Sequence, residues 1–438
     1  MTRAETWRPL PILAALVLLA YAGSWRGAFQ FDDFNVIVYA NGVHSLAAWW
    51  DGLGRGLRPL LKLSYLLNGA IDPQPFGFHL FNLLVHVFCS YLVYLLARQV
   101  GAVHAAGRDW HWVAGFAAAW FALHPVHTEA VTYISGRATS LMTLLYLAAL
   151  YAYTRGHRGL ALGWFVLALL VKESALLLPA ALLLWEAIRG TPWRTILRRQ
   201  WPWWLLAGLA VLLVVLHPGY RQLLGNSLAQ HASGSAAWTQ LNAAFYLLGQ
   251  WIWPSRLNID PELPRIVDFT AVSLQALGSA LLIALSWHWR RTRPWVGLAI
   301  GWLLLHLWLF NALLPRSDIA NERSLYWADW ALFVALLAEL HTRLPRPWFI
   351  GIGLGVALLL AACTWQRNLV YRSELALWTD TVLKSPHKAR VWNNLGYALA
   401  EAGQREAALR AYQQALRLDP GYVKAINNRD HLLQQSDQ

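Results

Sequence analysis

Cysteine and charged side chains are both scarce in this sequence. Only two cysteines, Cys89 and Cys363, occur among 438 residues, and both lie inside apolar stretches, so the sequence implies no disulfide framework. Charged residues make up 13% of the chain and hydrophobic residues 57%, which excludes an ordinary soluble domain and indicates an integral membrane protein. Acidic residues are the rarer charge, at 23 against 36 lysines and arginines, which leaves a net charge of +13.

The excess of positive charge does not indicate a nucleic-acid partner. Much of it lies in short connections that alternate along the chain, and this alternation is the orientation signal of a protein with many membrane spans. The 27 tryptophans agree with that interpretation, because indole rings prefer the boundary between lipid and water. We therefore expect membrane lipids around the chain and no bound nucleic acid.

Apolar runs predict about eleven membrane-spanning helices, several of them shorter than the ~20 residues that a perpendicular crossing needs. Arginines in alternate connections predict a cytoplasmic N-terminus and an extracytoplasmic C-terminus. Segment 241–253 is too short to span and is interpreted as an interfacial or re-entrant helix. The runs are 9–25, 78–98, 111–124, 139–153, 159–171, 174–188, 203–217, 271–288, 295–313, 325–340 and 348–364. The arginines are Arg3, Arg8, Arg98, Arg108, Arg155, Arg158, those from Arg189 to Arg199 and from Arg290 to Arg293, Arg343 and Arg346.

The first polar chemistry after the first apolar run is a pair of carboxylates. Asp32 and Asp33 lie between Phe31 and Phe34, close to where a helix should leave the bilayer. A carboxylate in that position can accept a proton from a hydroxyl group or hold a cation. The alternative is that the pair caps a helix, but its place at the mouth of a helix bundle favours a functional role.

Four cationic residues occur in or beside the connections expected outside: Arg58, Arg137, Lys172 and Arg323. A charge next to hydrocarbon is energetically expensive, so each should be functional or paired. Arginine offers two parallel hydrogen bonds to a phosphate and lysine acts as a point charge, so these residues are candidate ligands for an anionic leaving group. The alternative is internal salt bridging with the acidic residues of the same connections, Glu129, Glu173 and Glu322.

Histidines mark two further candidate groups. His124, His127 and Glu129 have side chains that can bind a metal, but their spacing is not a recognised zinc pattern and Pro125 interrupts the helical register. We favour structural hydrogen bonds or phosphate contact there and leave the metal unknown, with a divalent cation as the open alternative.

A polar stripe lies within the second apolar run. His79, Asn82 and His86 have the i, i+3, i+7 spacing of one helix face, which should point into the bundle. They could line a groove for a lipid phosphate or fasten helices together, and the sequence does not separate these two roles.

The C-terminal part has the spacing of a tetratricopeptide repeat, a two-helix unit of about 34 residues. The matching positions are the segment 392–396, Ala408, Tyr412, Ala415 and Pro420. Segments 374–386 and 423–433 resemble helices of a preceding and a following repeat. Such units bury their faces only by stacking, so we expect this short array to pack against the membrane domain. The chain is accordingly divided into a membrane domain, 1–366, and a repeat module, 367–438.

Two asparagines recur with the period of the repeat. Asn394 and Asn428 are 34 residues apart (428 − 394), each on the first helix of its unit. First helices line the concave face of such arrays, and an amide can pair with a peptide backbone through both a donor and an acceptor. The pair is a candidate acceptor-binding site, and the alternative is that it bridges helices within the module.

Several segments together resemble the transmembrane O-mannosyltransferases that carry tetratricopeptide repeats, and their bacterial relatives. They occur in family order over nearly the whole chain, and the run from His124 to Arg137 is the most specific of them. Departures are the short repeat array and Trp327, where the family tends to have leucine. The segments are Phe31-Asp32-Asp33, Arg58-Pro59-Leu60 with Ser64, Gly77-Phe78-His79 with Asn82 and His86, His124-Pro125-Val126-His127-Thr128-Glu129-Ala130-Val131 with Gly136-Arg137, Lys172-Glu173, and Asn321-Glu322-Arg323 with Leu325-Tyr326.

The resemblance implies an all-α, polytopic membrane glycosyltransferase of the GT-C fold. The donor would be a polyprenyl-phosphate-linked sugar, and the acceptor a hydroxyl, most plausibly of a serine or threonine in an extracytoplasmic protein. Asp32 would be the general base of an inverting transfer, and Asp33 would support it or hold a cation. The place would be a bacterial inner membrane, with the site and the repeat module on the periplasmic face. The alternatives are a lipid or cell-surface glycan acceptor, a lipid-linked sugar transporter or flippase, and a scaffold.

Overall fold

The computed structural model describes residues 9–54, 57–104, 110–222, 225, 236–309, 311 and 318–434. Every regular element within these residues is a helix, which confirms the predicted all-α class for the described part of the chain. Arg3, Arg8 and Arg108, three of the arginines used to predict orientation, lie outside the described residues.

The α-helices before the repeat module follow one another with short connections. They are α1 (Pro9–Ala20), α2 (Leu46–Asp51), α3 (Pro59–Ile71), α4 (Pro75–His104), α5 (His111–Leu123), α6 (Thr128–Val131), α7 (Arg137–Thr154), α8 (Arg158–Val171), α9 (Leu178–Ile188), α10 (Trp193–Leu216), α11 (Ala236–Ile252), α12 (Ser273–Trp289), α13 (Pro294–Leu303), α14 (Trp330–Arg343) and α15 (Arg346–Val370). Single 3₁₀ or π turns lie between several of them, among them Ala22–Arg26, Phe34–Val38 and Glu322–Ser324.

Four helices in the described part of the chain are long and apolar enough to cross a membrane: Pro75–Ala102, Trp193–Leu216, Phe269–Trp289 and Arg346–Val370. Shorter apolar helices of 10–17 residues occupy Pro9–Ala20, His111–Leu123, Arg158–Val171 and Pro294–Leu309. The chain is thus a membrane protein in composition and helix length, while the count of about eleven spans stays a prediction. Segment 241–253 lies in α11, which has 17 residues.

Helix α4 lies at the centre of the membrane domain. Of its most apolar stretch, 72% is buried, against 17%, 6% and 22% for the other three long helices. It packs against α1, α5 and α7. The polar stripe of this helix therefore faces protein, whereas α10, α12 and α15 turn apolar side chains outward, as expected of helices that meet lipid.

The repeat module consists of α16 (Glu374–Lys384), α17 (Ala389–Glu401), α18 (Arg405–Leu418) and α19 (Val423–Gln434). A β-carbon at Gly396 would lie 2.6 Å from the Tyr412 ring, so the close packing of α17 on α18 requires glycine there. The Ser373 side chain accepts a hydrogen bond from Ala376 N–H and starts α16. The helices predicted on either side of the repeat are therefore present.

The module packs against the connection between α11 and α12, as its small number of repeats predicts. Asp260 accepts hydrogen bonds from Lys388 Nζ and from Arg390, whose Nε lies 2.7 Å from Oδ2. Ser385 Oγ donates to the Asp260 carbonyl at 2.9 Å, and Lys384 Nζ donates to the Leu257 carbonyl at 2.8 Å. The exact division at residues 366 and 367 falls inside α15 and stays a prediction.

Candidate active site

The carboxylate loop, residues 30–33, lies between the turns Ala22–Arg26 and Phe34–Val38. Asp33 is buried. Its Oδ2 accepts a hydrogen bond from Gln30 N–H at 3.0 Å, and its Oδ1 accepts from Ser135 N–H at 2.8 Å and from the Ser135 hydroxyl. Burial raises the pKa of Asp33 to about 7, although these hydrogen bonds oppose the rise. Asp33 therefore ties the loop to the connection before α7 with both of its oxygens.

Asp32 is in a different environment, because it is only partly buried. Its backbone N–H donates to Tyr133 Oη at 2.9 Å, and within the described residues no backbone N–H donates to its carboxylate. Burial raises the pKa of Asp32, the charge of Asp318 adds to the rise, and the charges of Arg323 and Arg390 oppose it. Asp32 is thus a carboxylate with access to solvent and with cationic groups nearby.

Arg323 is held beside Asp32 by Glu129. Glu129 Oε2 accepts from the Arg323 backbone N–H at 3.0 Å, and its Oε1 lies 3.4 Å from Arg323 Nε. The Arg323 side chain is 21% exposed and Glu129 only 1%, so the acid anchors the cation from the protein side. Burial raises the pKa of Glu129, and the charge of Arg323 opposes that rise.

Arg58 and Lys172 are held by different partners, Glu173 and Thr139. Arg58 Nη2 and Nε lie 2.8 and 3.1 Å from the two carboxylate oxygens of Glu173, which is a bidentate ion pair. The Arg58 side chain remains 33% exposed. Lys172 Nζ donates to Thr139 Oγ1 at 2.7 Å and is buried. The internal pairing considered from the sequence is therefore present for Arg58, and enough of its surface remains for a ligand.

Arg137 is enclosed in a way that the other cations are not. Its side chain is fully buried and donates to Asn82 Oδ1 and Asn68 Oδ1, both at 2.7 Å, and to the Ser64 and Phe78 carbonyls. These bonds join α3, α4 and α7, and they occupy most of the five donors of the guanidinium. The geometry therefore favours a structural role, and phosphate binding by Arg137 stays a prediction without support from its surroundings.

The polar stripe of α4 fastens helices. Asn82 Nδ2 donates to the Val131 and Ile134 carbonyls at 3.1 and 3.3 Å. His86 lies 2.8 Å from Tyr326 Oη and 3.0 Å from the Ala122 carbonyl. His79 Nε2 lies 3.2 Å from the Gly27 carbonyl. Of the two roles left open by the sequence, the contacts favour fastening over a groove lining.

His124 and His127 are also buried in structural contacts. His124 Nε2 lies 3.1 Å from the Trp251 carbonyl, and His127 Nε2 lies 3.0 Å from Asp329 Oδ2. Neither contacts Glu129, which pairs with Arg323 instead. In the part of the chain that the structure describes, no three His, Cys, Asp or Glu side chains are grouped as a metal site would need.

Glu322 connects the site to the repeat module instead of pairing with a predicted cation. Glu322 Oε1 accepts a hydrogen bond from the Asn258 N–H, and Glu322 Oε2 lies 3.4 Å from Arg367 Nη2. The other terminal nitrogen of Arg367, Nη1, lies 3.0 Å from Asp380 Oδ2 in α16. Burial raises the pKa of Glu322 to about 7, and the charge of Arg367 opposes the rise.

The repeat asparagines lie on facing helices. Asn428 Nδ2 donates to Asn393 Oδ1 at 3.0 Å, which joins α19 to α17. Asn394 Oδ1 accepts from Asn393 Nδ2 at 3.1 Å, while Asn394 Nδ2 is buried without a hydrogen-bond partner within the described residues. Asn428 thus bridges helices, and Asn394 keeps a donor for another group.

The structure brings together Asp32, Arg323 and Glu129 as one group and pairs Arg58 with Glu173 as another. Tyr65 is buried against the guanidinium of Arg137, whose carbon lies 4.8 Å from the ring centroid, and the Tyr65 hydroxyl has no partner within the described residues. Residue type and spacing alone do not single out Tyr65, Tyr133, Ser135, Asp329 or Arg390. Tyr133 and Ser135 lie within the His124–Arg137 run and Tyr65 follows Ser64, so the motifs contained a signal for these three. No motif marked Asp329 or Arg390.

Comparison with known proteins identifies the repeat and several relatives. The tetratricopeptide repeat family matches residues 389–422, which confirms the predicted repeat. A protein O-mannosyl-transferase of Caenorhabditis elegans is 27% identical over 96% of this chain and 64% of the relative. Protein O-mannosyl-transferase Tmtc3 of Drosophila melanogaster is 28% identical over 94% of this chain and 55% of the relative. Protein O-mannosyl-transferase TMTC1 of Homo sapiens is 25% identical over 95% of this chain and 56% of the relative.

The chain spans between 55% and 64% of the length of these curated relatives. No solved structure gives a significant match. Over most of its length, the chain is therefore similar to proteins named as protein O-mannosyl-transferases, which are glycosyltransferases.

Proposed function

We propose that this protein is a membrane glycosyltransferase of the GT-C fold that transfers a sugar from a polyprenyl phosphate to a serine or threonine hydroxyl of a protein. The site and the repeat module would face the periplasm of a bacterial inner membrane. The names of the relatives support protein O-glycosylation and suggest mannose as the first sugar to test. The four long apolar helices support a membrane location.

The chemistry assigns one role to each charged group. Asp32 accepts the proton of the acceptor hydroxyl while the hydroxyl oxygen attacks the anomeric carbon of the donor. The bond between that carbon and the phosphate oxygen breaks, the polyprenyl phosphate leaves with the electron pair, and the anomeric configuration is inverted. Arg323 and Arg58 stabilise the negative charge that develops on the phosphate, and Lys172 adds positive charge nearby. Asp33, Glu129 and Glu173 hold the loop and the cations in place.

One observation carries the proposal: a partly exposed carboxylate, Asp32, lies within the field of an arginine that a buried acid anchors. A base and an anion-stabilising group side by side are what a hydroxyl attack with a phosphate leaving group needs.

The same chemistry on a lipid or cell-surface glycan is the nearest alternative. A transporter or flippase fits less well, because it should place charges along a path through the membrane. Buried polar groups, such as His86 with Tyr326 and His127 with Asp329, are instead bonded to one another. A scaffold needs neither the carboxylate pair nor the cations.

The decisive experiment is mass spectrometry of extracytoplasmic proteins from cells with and without the gene. The proposal expects a hexose-sized mass on serine or threonine peptides that disappears with the gene and returns with the wild-type copy but not with Asp32→Asn. Loss of sugar from glycolipids or glycans alone would move the acceptor to the first alternative. Unchanged products, together with movement of lipid-linked sugar across vesicles by the purified protein, would identify a transporter.

A further inference from the structure

The carboxylate loop is held from two sides, and one of those sides belongs to the repeat module. On the membrane-domain side, Tyr133 Oη accepts the Asp32 N–H and Ser135 binds Asp33. On the other side, Gln30 Nε2 donates to the Tyr371 carbonyl at 2.6 Å, just before α16 begins. The loop with the proposed base therefore lies between the two parts of the chain.

Phe31 is the residue of the loop that contacts α16 directly. Its ring packs edge to face on Trp378, with centroids 5.3 Å apart and planes at 75°. Its backbone N–H faces the Glu374 carboxylate, and Glu374 Oε1 also accepts from Trp378 Nε1 at 3.4 Å. Phe31 has a φ of +49°, a left-handed conformation that a residue with a side chain adopts only where its surroundings impose it.

The same apolar cluster reaches Tyr133. Trp378 is 1% exposed and Leu377 is fully buried, and both pack in one cluster with Tyr371 and Tyr133, against which Phe31 lies. Trp378 thus supports Phe31, the residue before Asp32. Trp378 also belongs to the same cluster as Tyr133, whose hydroxyl accepts the hydrogen bond from the Asp32 N–H. Val391 and Ala398 of α17 belong to the same cluster, while the ring of Phe31 packs on Trp378 of α16.

We infer that Trp378 is a positioning residue for Asp32, so that α16 helps to set the geometry of the chemical step and does not only hold an acceptor. The inference rests on the proposed role of Asp32. A base displaced by about 1 Å can lose up to about 100-fold in rate even though its chemistry is unchanged. Inside the loop, the Asp33 N–H donates to the Gln30 carbonyl at 2.9 Å, and the Phe34 N–H donates to the Phe31 carbonyl at 3.4 Å. These bonds close a single turn and do not fix where that turn lies, so its position depends on the contacts at its two sides.

The test uses the full-length protein in lipid nanodiscs with a polyprenyl-phosphate sugar and a serine- and threonine-containing peptide. Trp378→Ala should lower kcat between about 10- and 100-fold and change the KM for the peptide less than about twofold. Trp378→Phe should restore most of the rate, because an aromatic ring remains for Phe31. Phe31→Gly, which removes the ring but tolerates the positive φ, should reproduce the loss without disturbing the module core.

A matched control distinguishes positioning from loss of module stability. Leu432→Ala creates a cavity in the separate cluster with Ala408 and Tyr412, away from the loop. It should lower thermal stability and leave kcat unchanged. Equal loss of kcat in Leu432→Ala, an unchanged kcat in Trp378→Ala and Phe31→Gly, or a rise in KM alone would each overturn the inference.

Hydrogen exchange provides a readout that does not depend on activity. Trp378→Ala should speed exchange of the Asp32 and Asp33 amides at least tenfold relative to wild type, while Leu432→Ala should not. Unchanged protection would overturn the positioning role. If wild-type protein transferred no sugar but the exchange result appeared as expected, the proposed function would fail and the support of the loop by α16 would stand.

Discussion

At the scale of single residues, Asp32 and Asp33 are adjacent in sequence and opposite in environment. Both oxygens of Asp33 accept hydrogen bonds, whereas the Asp32 carboxylate is partly exposed beside Arg323. A proton acceptor needs a free lone pair that a substrate can reach, and Asp32 meets that requirement. This contrast supplies a matched pair of substitutions.

Asp32→Asn should lower the rate of transfer by roughly 10²- to 10⁴-fold, because the amide keeps the shape of the side chain but cannot accept the proton. Thermal unfolding and donor binding should be nearly unchanged, since no backbone donor depends on the carboxylate. The measurement is single-turnover transfer by purified protein, with donor binding followed separately. Transfer at the wild-type rate would remove Asp32 from the role of base.

Asp33→Asn should instead destabilise the protein, by about 1–3 kcal/mol. An amide offers one oxygen where two oxygens now accept from Gln30 and Ser135, so its NH₂ group must face a donor. Thermal unfolding compared with Asp32→Asn measures the difference. If the Asp33→Asn protein were stable but inactive while the Asp32→Asn protein stayed active, Asp33 would be the base and Asp32 the supporting carboxylate.

The pH dependence of transfer should report the environment of Asp32. Burial raises its pKa, so the base should be protonated and inactive at a pH where an ordinary aspartate, with a pKa of about 3.9, is already ionised. We therefore expect kcat/KM to rise with pH and then level off. The midpoint of this acidic limb of the pH profile should lie above the pKa of an ordinary aspartate. Asp318→Asn should move the limb to lower pH, because the negative charge of Asp318 opposes ionisation of Asp32.

The control for this shift is Glu262→Gln, which removes an acid that contacts His387 at the edge of the module. It should leave the limb in place. A limb at the ordinary aspartate value, or one that Asp318→Asn does not move, would contradict the assignment.

Residue types could be predicted from the sequence much better than their partners. The motifs contained Asp32, Arg323 and Glu129, and the structure places them together. Asp33 and Ser135 are 102 residues apart, however, and such pairings depend on how helices pack, which periodicity does not encode. Arg137 shows the limit most clearly: its residue type predicts phosphate binding, which stays a prediction, whereas the helices that it joins could not be inferred from the sequence.

At the scale of single elements, strain is concentrated beside the candidate site. Among the described non-glycine residues, only Phe31 and Arg58 have a positive φ, at +49° and +55°. Such conformations cost of the order of 1–3 kcal/mol each and persist only where the surroundings hold them. Phe31 precedes the base, and Arg58 forms the ion pair with Glu173, so both strained residues lie next to groups with proposed chemical roles.

The repeat helices allow the two roles of the asparagines to be tested separately. Asn394→Ala should raise the KM for a protein acceptor severalfold and lower stability by no more than about 1 kcal/mol, because it removes only the bond from Asn393 Nδ2 and leaves the bond from Asn428 to Asn393. Asn428→Ala should lower stability by about 1 kcal/mol through loss of that bond. Steady-state kinetics with a protein acceptor and thermal unfolding measure the two effects.

Hydrolysis of the donor by water needs no acceptor and should be unaffected by Asn394→Ala. A parallel fall in hydrolysis and stability would show that Asn394 is structural. If Asn394→Ala changed neither KM nor stability, the acceptor would be held elsewhere.

At the scale of the whole molecule, the all-helical class and the repeat could be predicted, but the span count could not be settled. Several predicted spans are interrupted or short: the run 174–188 divides into a 3₁₀ turn, Glu173–Leu177, and helix α9. Apolar composition predicts burial in either lipid or protein and does not separate them. Helix α4, the most enclosed of the long helices, and α12, the most open, have the same kind of sequence.

The contacts of the module constrain the topology independently of the count. Gln30 and Phe31 contact the segment 371–378, and Asp260 contacts Arg390, so the carboxylate loop and the module must lie on the same side of the membrane. The number of crossings between residue 40 and the C-terminus is then even. With one crossing before the loop and the arginines inside, both sites should be extracytoplasmic.

Reporter fusions test this prediction. A reporter active only outside the cytoplasm should be active when inserted at the exposed Asn41, the first residue of the turn Asn41–Val43, and when fused after Gln438. The same reporter at Gly190, in the arginine-rich connection before α10, should be inactive, and a cytoplasmic reporter should give the reverse pattern. If the reporters at Asn41 and after Gln438 both showed a cytoplasmic location, the orientation would be reversed, but the number of crossings between them would still be even. Disagreement between those two positions would contradict the packing of the module against the carboxylate loop, and with it the positioning role of α16.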